Sequence, residues 1–326
     1  MLPIAMLTGA SIYLIYHMMP EPVHMAGPVL DIAVSLLQPL LIFSMLFLTF
    51  CRIEPKDLKP HRWHWWLLLI QGGLFTALGL LAVRMINAFP DTYHDRLVLI
   101  ESAMLCLICP TATAAAVVTR KLGGDVPGIT TYVVLINILA ALLVPLIVPM
   151  LHPVEGMDFW TAFSMIMVKV FPLLITPCLC AWIVRYMAPR AHRWLMRFPD
   201  LPFYLWAVAL TLTIAVTTKS IVKSTISLRV LMLMALISLI CCIFQFAAGR
   251  FVGSRYRPGR YSPKADQRGK EVRKITAGQA LGQKNTVFAI WMAYTFMIPE
   301  TAIIGGLYSI WHNLYNSYQL YRAGKK

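Results

Sequence analysis

Two short stretches of the chain hold the residues best suited to chemistry. ICPTATAAAVV at 108–118 sets Thr111 and Thr113 directly after Pro110, and TAGQALGQKNTVF at 276–288 sets Gln279, Gln283, Lys284, Asn285 and Thr286 around Gly278 and Gly282. Hydroxyls, amides and one amine can bind a ligand and exchange a proton, but they make no hydrolytic or group-transfer centre. An ammonium inside an apolar run is costly enough to be a functional candidate by default. The plain alternative is a lysine paired with a carbonyl or with Glu101 for structure alone. HExxH, GxSxG and GxxxxGK[ST] motifs are missing, and Gly123, Gly124 and Asp125 have no second acidic partner, so no enzyme is expected.

The elements that must position these residues follow from composition. Of 326 residues, 59% are hydrophobic and only 13% charged, which cannot cover the surface of a soluble globule. Ten apolar runs are long enough to cross a bilayer as helices: 3–19, 24–50, 63–86, 97–120, 127–151, 159–187, 201–222, 228–252, 275–293 and 297–320. No period-2 alternation supports a barrel, and the first run lacks the basic start and cleavage site of a signal peptide. The expectation is an all-α polytopic membrane protein in one membrane domain.

The net charge of +15 is explained by topology rather than nucleic acid. With the N-terminus inside, inner loops and tail hold 22 of the 29 Lys and Arg residues and the outer side holds 5, while Lys169 and Lys284 fall within spans. Both termini are therefore expected in the cytoplasm. The basic segment 250–274 reads as a loop that contacts anionic lipid. Trp63, His64, Trp65 and Trp66 read as an interfacial aromatic belt. The seven cysteines read as small core residues, Cys178 and Cys180 being too close for a bridge or a zinc site.

Both chemical stretches interrupt a span, because Pro110 breaks the fourth and the glycines and polar residues break the ninth. Fourth and ninth of ten are equivalent members of two five-helix halves, 1–151 and 152–326, and an odd number of spans inverts the second half. Paired interrupted helices in inverted repeats point to a transporter's site near the midplane.

Several motifs carry a resemblance over most of the chain. CPTATAAAVV followed by GGDV, PLIVP, MVKVFPLLITP, LGQKNT and GGLYSIWHN, in this order, are similar to the bile acid:sodium symporter family. The resemblance implies a panel of spans 1, 2, 6 and 7 against a core of spans 3 to 5 and 8 to 10, broken spans 4 and 9 that cross, and uptake of bile acids or smaller organic anions with sodium.

Departures from the family pattern alter that expectation. Its Ser-Asn pair after the span 4 break aligns with Ala115 and Ala116, its Ser and Thr in span 5 with Ile129 and Val133, its acidic residue in span 9 with Ala280, and its Gln with Lys284. An ungapped count from Pro299 would instead put Gly278 at the acidic position. A sodium ion would have nothing to sit on, so no cofactor or metal is expected. Lys284 is read as a tethered cation that replaces it, closes the crossing and attracts an anion. The same amine could titrate and couple transport to protons.

Lesser candidates surround it. Gln71 aligns near a cation ligand and is placed to face Lys284. Gln283, Asn285, Thr286, Thr111 and Thr113 offer donors, with Pro110 and Gly282 shaping the break. His312 and Asn313 match the span 10 motif and are read as bonding the core helices, with substrate contact second. Lys169 shares its position with a family lysine. Asp31, Glu101 and Glu300 are read as interfacial or as helix N-terminal placements.

The reading is an inner-membrane secondary transporter of an organic anion, with lipid as its other partner and no nucleic acid. An ordinary sodium symporter with a rebuilt ion site and a non-transporting receptor stay open. A carrier like those of the arsenite or auxin efflux groups is a weaker option.

Overall fold

A computed structural model describes residues 2–19, 27–89, 93–153, 156–198, 201–256 and 263–324. Arg257, Arg260, Lys325 and Lys326, counted above as inner charges, lie outside them. The described residues are helical almost throughout and contain no strand. Backbone groups in hydrocarbon must be satisfied within their own segment, and helices do this wherever the apolar runs fall.

The elements in chain order are α1 Leu2–Met18, α2 Gly27–Phe50, α3 Arg62–Ala88, α4 His94–Ile108, α5 Ala114–Lys121, α6 Val126–Leu151, α7 Phe159–Met187, α8 Pro189–Met196, α9 Leu201–Lys223, α10 Leu228–Arg255, α11 Pro263–Gly282, α12 Thr286–Phe296 and α13 Ile303–Gly324. Among the described residues six helices are long and apolar enough to cross a membrane: α2, α3, α6, α7, α10 and Tyr204–Lys223 of α9. The apolar runs expected from the sequence coincide with α1 to α3, the pair α4 and α5, α6, α7, α9, α10, the pair α11 and α12, and α13. Capping sharpens two starts: Asp158 accepts from the amides of Trp160 and Thr161 at α7, and Ser227 accepts from Val230 at α10.

Packing divides the helices unevenly. Helices α1, α2, α7 and α9 touch through the pairs α1–α9, α2–α7 and α2–α9, while α10 packs along α11, α13 and α4, and α3 along α4 and α6. The α10–α11 contact is the tightest. A methyl on Gly249 would run into the carbonyl of Ala277, and one on Gly253 into that of Arg273, so only glycine lets the two backbones approach.

Three expectations need correction here. The basic segment 250–274 is not a loop over most of its length: α10 continues to Arg255 and α11 begins at Pro263. Glu271 pairs with Arg250 across the two helices and with Lys274 one turn on, which makes a polar stretch viable as helix. The aromatic belt is only half a belt. Trp65 and Trp66 are exposed, but Trp63 and His64 are buried against Tyr132, with the His64 ring bonded to the Gly128 carbonyl at 2.9 Å. Finally, Glu101 is neither interfacial nor at a helix N-terminus. It lies half-way along α4 with no exposure at all.

Candidate functional site

The site is assembled where two helices fail. Pro110 has no amide to donate and its ring clashes with the preceding turn, so α4 ends at Ile108 and α5 restarts at Ala114. Helix α11 ends at Gly282, against the ring of Phe246, and α12 begins at Thr286 with the Asn285 side chain accepting from the Phe288 amide at 3.2 Å. The two connectors run antiparallel and pair at Thr111 and Lys284. The Ala112 amide donates to the Gln283 carbonyl at 2.9 Å and the Asn285 amide to the Pro110 carbonyl at 2.8 Å. Thr111 donates its hydroxyl to the Ala280 carbonyl at 2.5 Å.

Breaking a helix frees the carbonyls of its last turn, and buried carbonyls need donors. Side chains supply all four at the end of α4. Gln245 of α10 donates to Cys106 at 3.1 Å, Lys284 to Leu107 at 3.1 Å, and the Gln71 amide to Ile108 and Cys109 at 3.2 and 3.1 Å. Gln71 in turn accepts from the Tyr132 hydroxyl at 2.9 Å. Across the crossing, Tyr308 donates to the Gly282 carbonyl at 2.7 Å and accepts from Gln245. The side-chain nitrogen of Lys284 thus sits at the negative end of a half-helix dipole, an end that favours positive charge. Its side chain is among the largest that are fully buried, with Cys106, Cys109 and Cys241 nearby.

The expected residues therefore fall as follows. Pro110, Thr111, Gly282, Gln283, Lys284 and Asn285 form the crossing itself, and Thr113 and Thr286 are buried at the starts of α5 and α12. Gln71 comes to the end of α4, beside the crossing, with its recorded bonds going to Ile108, Cys109 and Tyr132 rather than to Lys284. Glu101 bonds His152 instead of Lys284. His312 and Asn313 are buried on α13; among the described residues the Asn313 side chain bonds Ser309 of its own helix, and His312 lies edge-on to Tyr308 with Nδ1 unpartnered. Both side-chain atoms of Gln283 are likewise buried and unpartnered.

Ala115, Ile129 and Ala280 come together with Trp63, Leu67, Leu68, Tyr132, Ile136, Ala277 and Leu281 in one apolar cluster, and Ala116 packs on it. Val133 joins the larger core. Gln245, Tyr132 and Tyr308 were not singled out from the sequence. Gln245 did carry a signal, as the lone amide in the apolar run ICCIFQFAA.

One comparison with known proteins decides the family. The model of the SBF-like CPA transporter family matches residues 6–324, nearly the whole chain. The chain belongs to the SBF-like CPA transporter family. No curated protein matches it. Membership in the SBF-like CPA transporter family makes the protein a multi-pass membrane transporter rather than an enzyme, in keeping with the motif resemblance above.

Proposed function

We propose that the protein is a secondary transporter of an organic anion, a bile acid, steroid-like molecule or smaller carboxylate, in which Lys284 replaces a bound sodium ion. The observation that carries this reading is the buried ammonium of Lys284 on the Leu107 carbonyl, at the contact of the two broken helices. Ala115, Ala116, Ile129, Val133 and Ala280, which align with sodium ligands of the family, are packed in apolar clusters and their side chains offer a cation no oxygen. Ten spans in two inverted repeats account for the equivalent positions of the two breaks. The panel is then α1, α2, α7 and α9, the core α3 to α6 and α10 to α13, and alternating access is motion of one against the other. The unpartnered Gln283 amide nitrogen and His312 ring nitrogen supply donors for the anion's polar end. Protons are the coupling ion in this reading, in a bacterial inner membrane with both termini inside.

The test begins with a ligand. A panel of carboxylates and sulfonated steroids is screened for thermal stabilisation of the purified protein, where a ligand at a hundred times its Kd adds about 2.7 kcal/mol. Uptake of the hit into proteoliposomes is then measured with and without sodium and across a pH gradient. Uptake that persists in sodium-free buffer is expected. In Lys284→Gln it should fall at least tenfold or begin to need a small cation. Steep sodium dependence of the unmodified protein overturns the tethered-cation reading, and binding without uphill accumulation under any gradient makes the protein a receptor.

A further inference from the structure

Away from the crossing, toward the end of the core assigned to the outer side, one carboxylate is unused by the reading above. Glu101 of α4 is completely buried. One of its oxygens lies 2.5 Å from Nε2 of His152, the residue just after α6, and the other accepts the backbone amide of Ile298 at 3.1 Å. Ile298 belongs to the joint between α12 and α13, just before the short 3-10 turn Pro299–Ala302. A single carboxylate therefore ties together both broken elements, α4 directly and α12 through its joint. Glu101 lies six residues before Leu107, about 9 Å along the same half-helix. The His152 side chain keeps 30% of its surface exposed, while that of Glu101 keeps none.

Among the described residues no ion pair joins this carboxylate to a Lys or Arg side chain. On α4 itself His94, Asp95 and Arg96 sit a turn or more away, and Arg96 lies over the Phe89 ring. The charged groups of the adjoining elements include Arg84 near the end of α3, Lys169 of α7, which lies over the Phe296 ring, Asp31 of α2 paired with Lys219 of α9, Arg229 at the start of α10 and Glu300 in the 3-10 turn. Beyond His152, Asp158 is engaged by Trp160 and Thr161 at the start of α7. Helix α12 brings no charge, its Tyr294 being bonded to Ser220, and the nearest titratable group on α13 is the buried His312. Glu155, three residues after His152, lies outside the described residues. Among the described residues His152 is the one titratable group bonded to Glu101.

We propose that Glu101 and His152 form a proton-binding site of the outer half of the core, loaded from outside through the exposed edge of His152. The ligand is a proton delivered by hydronium, which leaves as water. With one shared proton the pair is an imidazolium and a carboxylate, neutral overall, and Oε2 of Glu101 holds the Ile298 amide by a charge-assisted bond. A second proton converts the carboxylate to an acid, leaves a net positive charge on His152 and weakens the hold on Ile298. Proton binding is thereby read out at the α12–α13 joint. The inference does not depend on which ion, if any, works at Lys284.

The experiment is hydrogen–deuterium exchange of segment 294–302 in the purified full-length protein as pH is lowered, corrected for the intrinsic pH dependence of amide exchange. Protection of this segment should fall about tenfold between the one-proton and two-proton forms. In Glu101→Gln, whose amide oxygen still accepts from Ile298, it should become independent of pH. Infrared difference spectra supply a second readout that does not need that variant: a carboxylic acid band should grow in on acidification and shift its midpoint in His152→Gln. Glu155→Gln should leave both readouts as they are. Identical pH profiles in the unmodified protein and Glu101→Gln, an unshifted band in His152→Gln, or a pH response that disappears in Glu155→Gln would each overturn the proposal.

Discussion

A lysine can be buried in a membrane protein only if something repays the loss of water, and at Lys284 the visible part of that repayment is a carbonyl left over from a broken helix. The same economy holds for Gln71, which satisfies two carbonyls and a tyrosine hydroxyl at once. Gln71→Leu keeps the volume and removes every partner, leaving three buried groups unmatched at roughly 1 to 3 kcal/mol each before relaxation. A loss of about 3 kcal/mol in stability is expected, measured as thermal unfolding in detergent. Tyr308→Phe removes one donor from the Gly282 carbonyl and should lose about 1 to 2 kcal/mol by the same measurement. Lys284 was legible in the sequence because an amine in an apolar run is conspicuous on its own. Glu101 was not, since its meaning depends on His152, 51 residues away, and no periodicity points from one to the other. For the same reason Gln245 was passed over: the carbonyl that it satisfies belongs to another helix.

At the scale of elements, apolar run length located helices well, because hydrocarbon permits little else. It failed where helix continues beyond hydrocarbon. The polar start of α11 is held by an ion pair with α10 and one within itself, α8 is a short helix with no buried residue, and neither announces itself by hydropathy. The break positions were legible from Pro110 and Gly282, but the pairing of the two connectors was expected only through the family resemblance. The α10–α11 contact offers a test at this scale. Gly249→Ala and Gly253→Ala each push a methyl against backbone that cannot swing aside, and should cost about 1 to 3 kcal/mol. Gly73 in the middle of α3 has open space where a side chain would go, so Gly73→Ala should be neutral or stabilise by about 0.5 to 1 kcal/mol. Parallel melting curves of the three variants check the contrast. A destabilised Gly73→Ala or an unchanged Gly249→Ala would mean the helices do not pack this closely.

The whole molecule has two ends that differ in charge and in how they are stitched. At one end Asp31 of α2 pairs with Lys219 of α9. At the other, Arg185 of α7 reaches Glu54 at 2.6 Å and the carbonyls of Cys51 and Ile53, while His192 also bonds Cys51. Lys56 beside Glu54 holds its carboxyl below the usual range, and Arg185 adds to the effect. Each of these pairs joins residues that the threading of basic loops puts on the same side, as any even number of spans between them would. The proposed direction follows the charge asymmetry, with the loops rich in Lys and Arg placed in the cytoplasm. Lys223, at the end of α9, should then face outward, and Arg193, exposed on α8, inward. In intact cells a membrane-impermeant thiol reagent should modify Lys223→Cys and spare Arg193→Cys, and opening the cells should reverse only the second result. The native cysteines are buried or half-buried, so the background of the unmodified protein should be low. Labelling of Arg193→Cys from outside would turn the molecule over. The pair Glu101 and His152 would then face the cytoplasm and any proton loaded there would come from within, although the contact of the two broken helices at Lys284 would be unchanged.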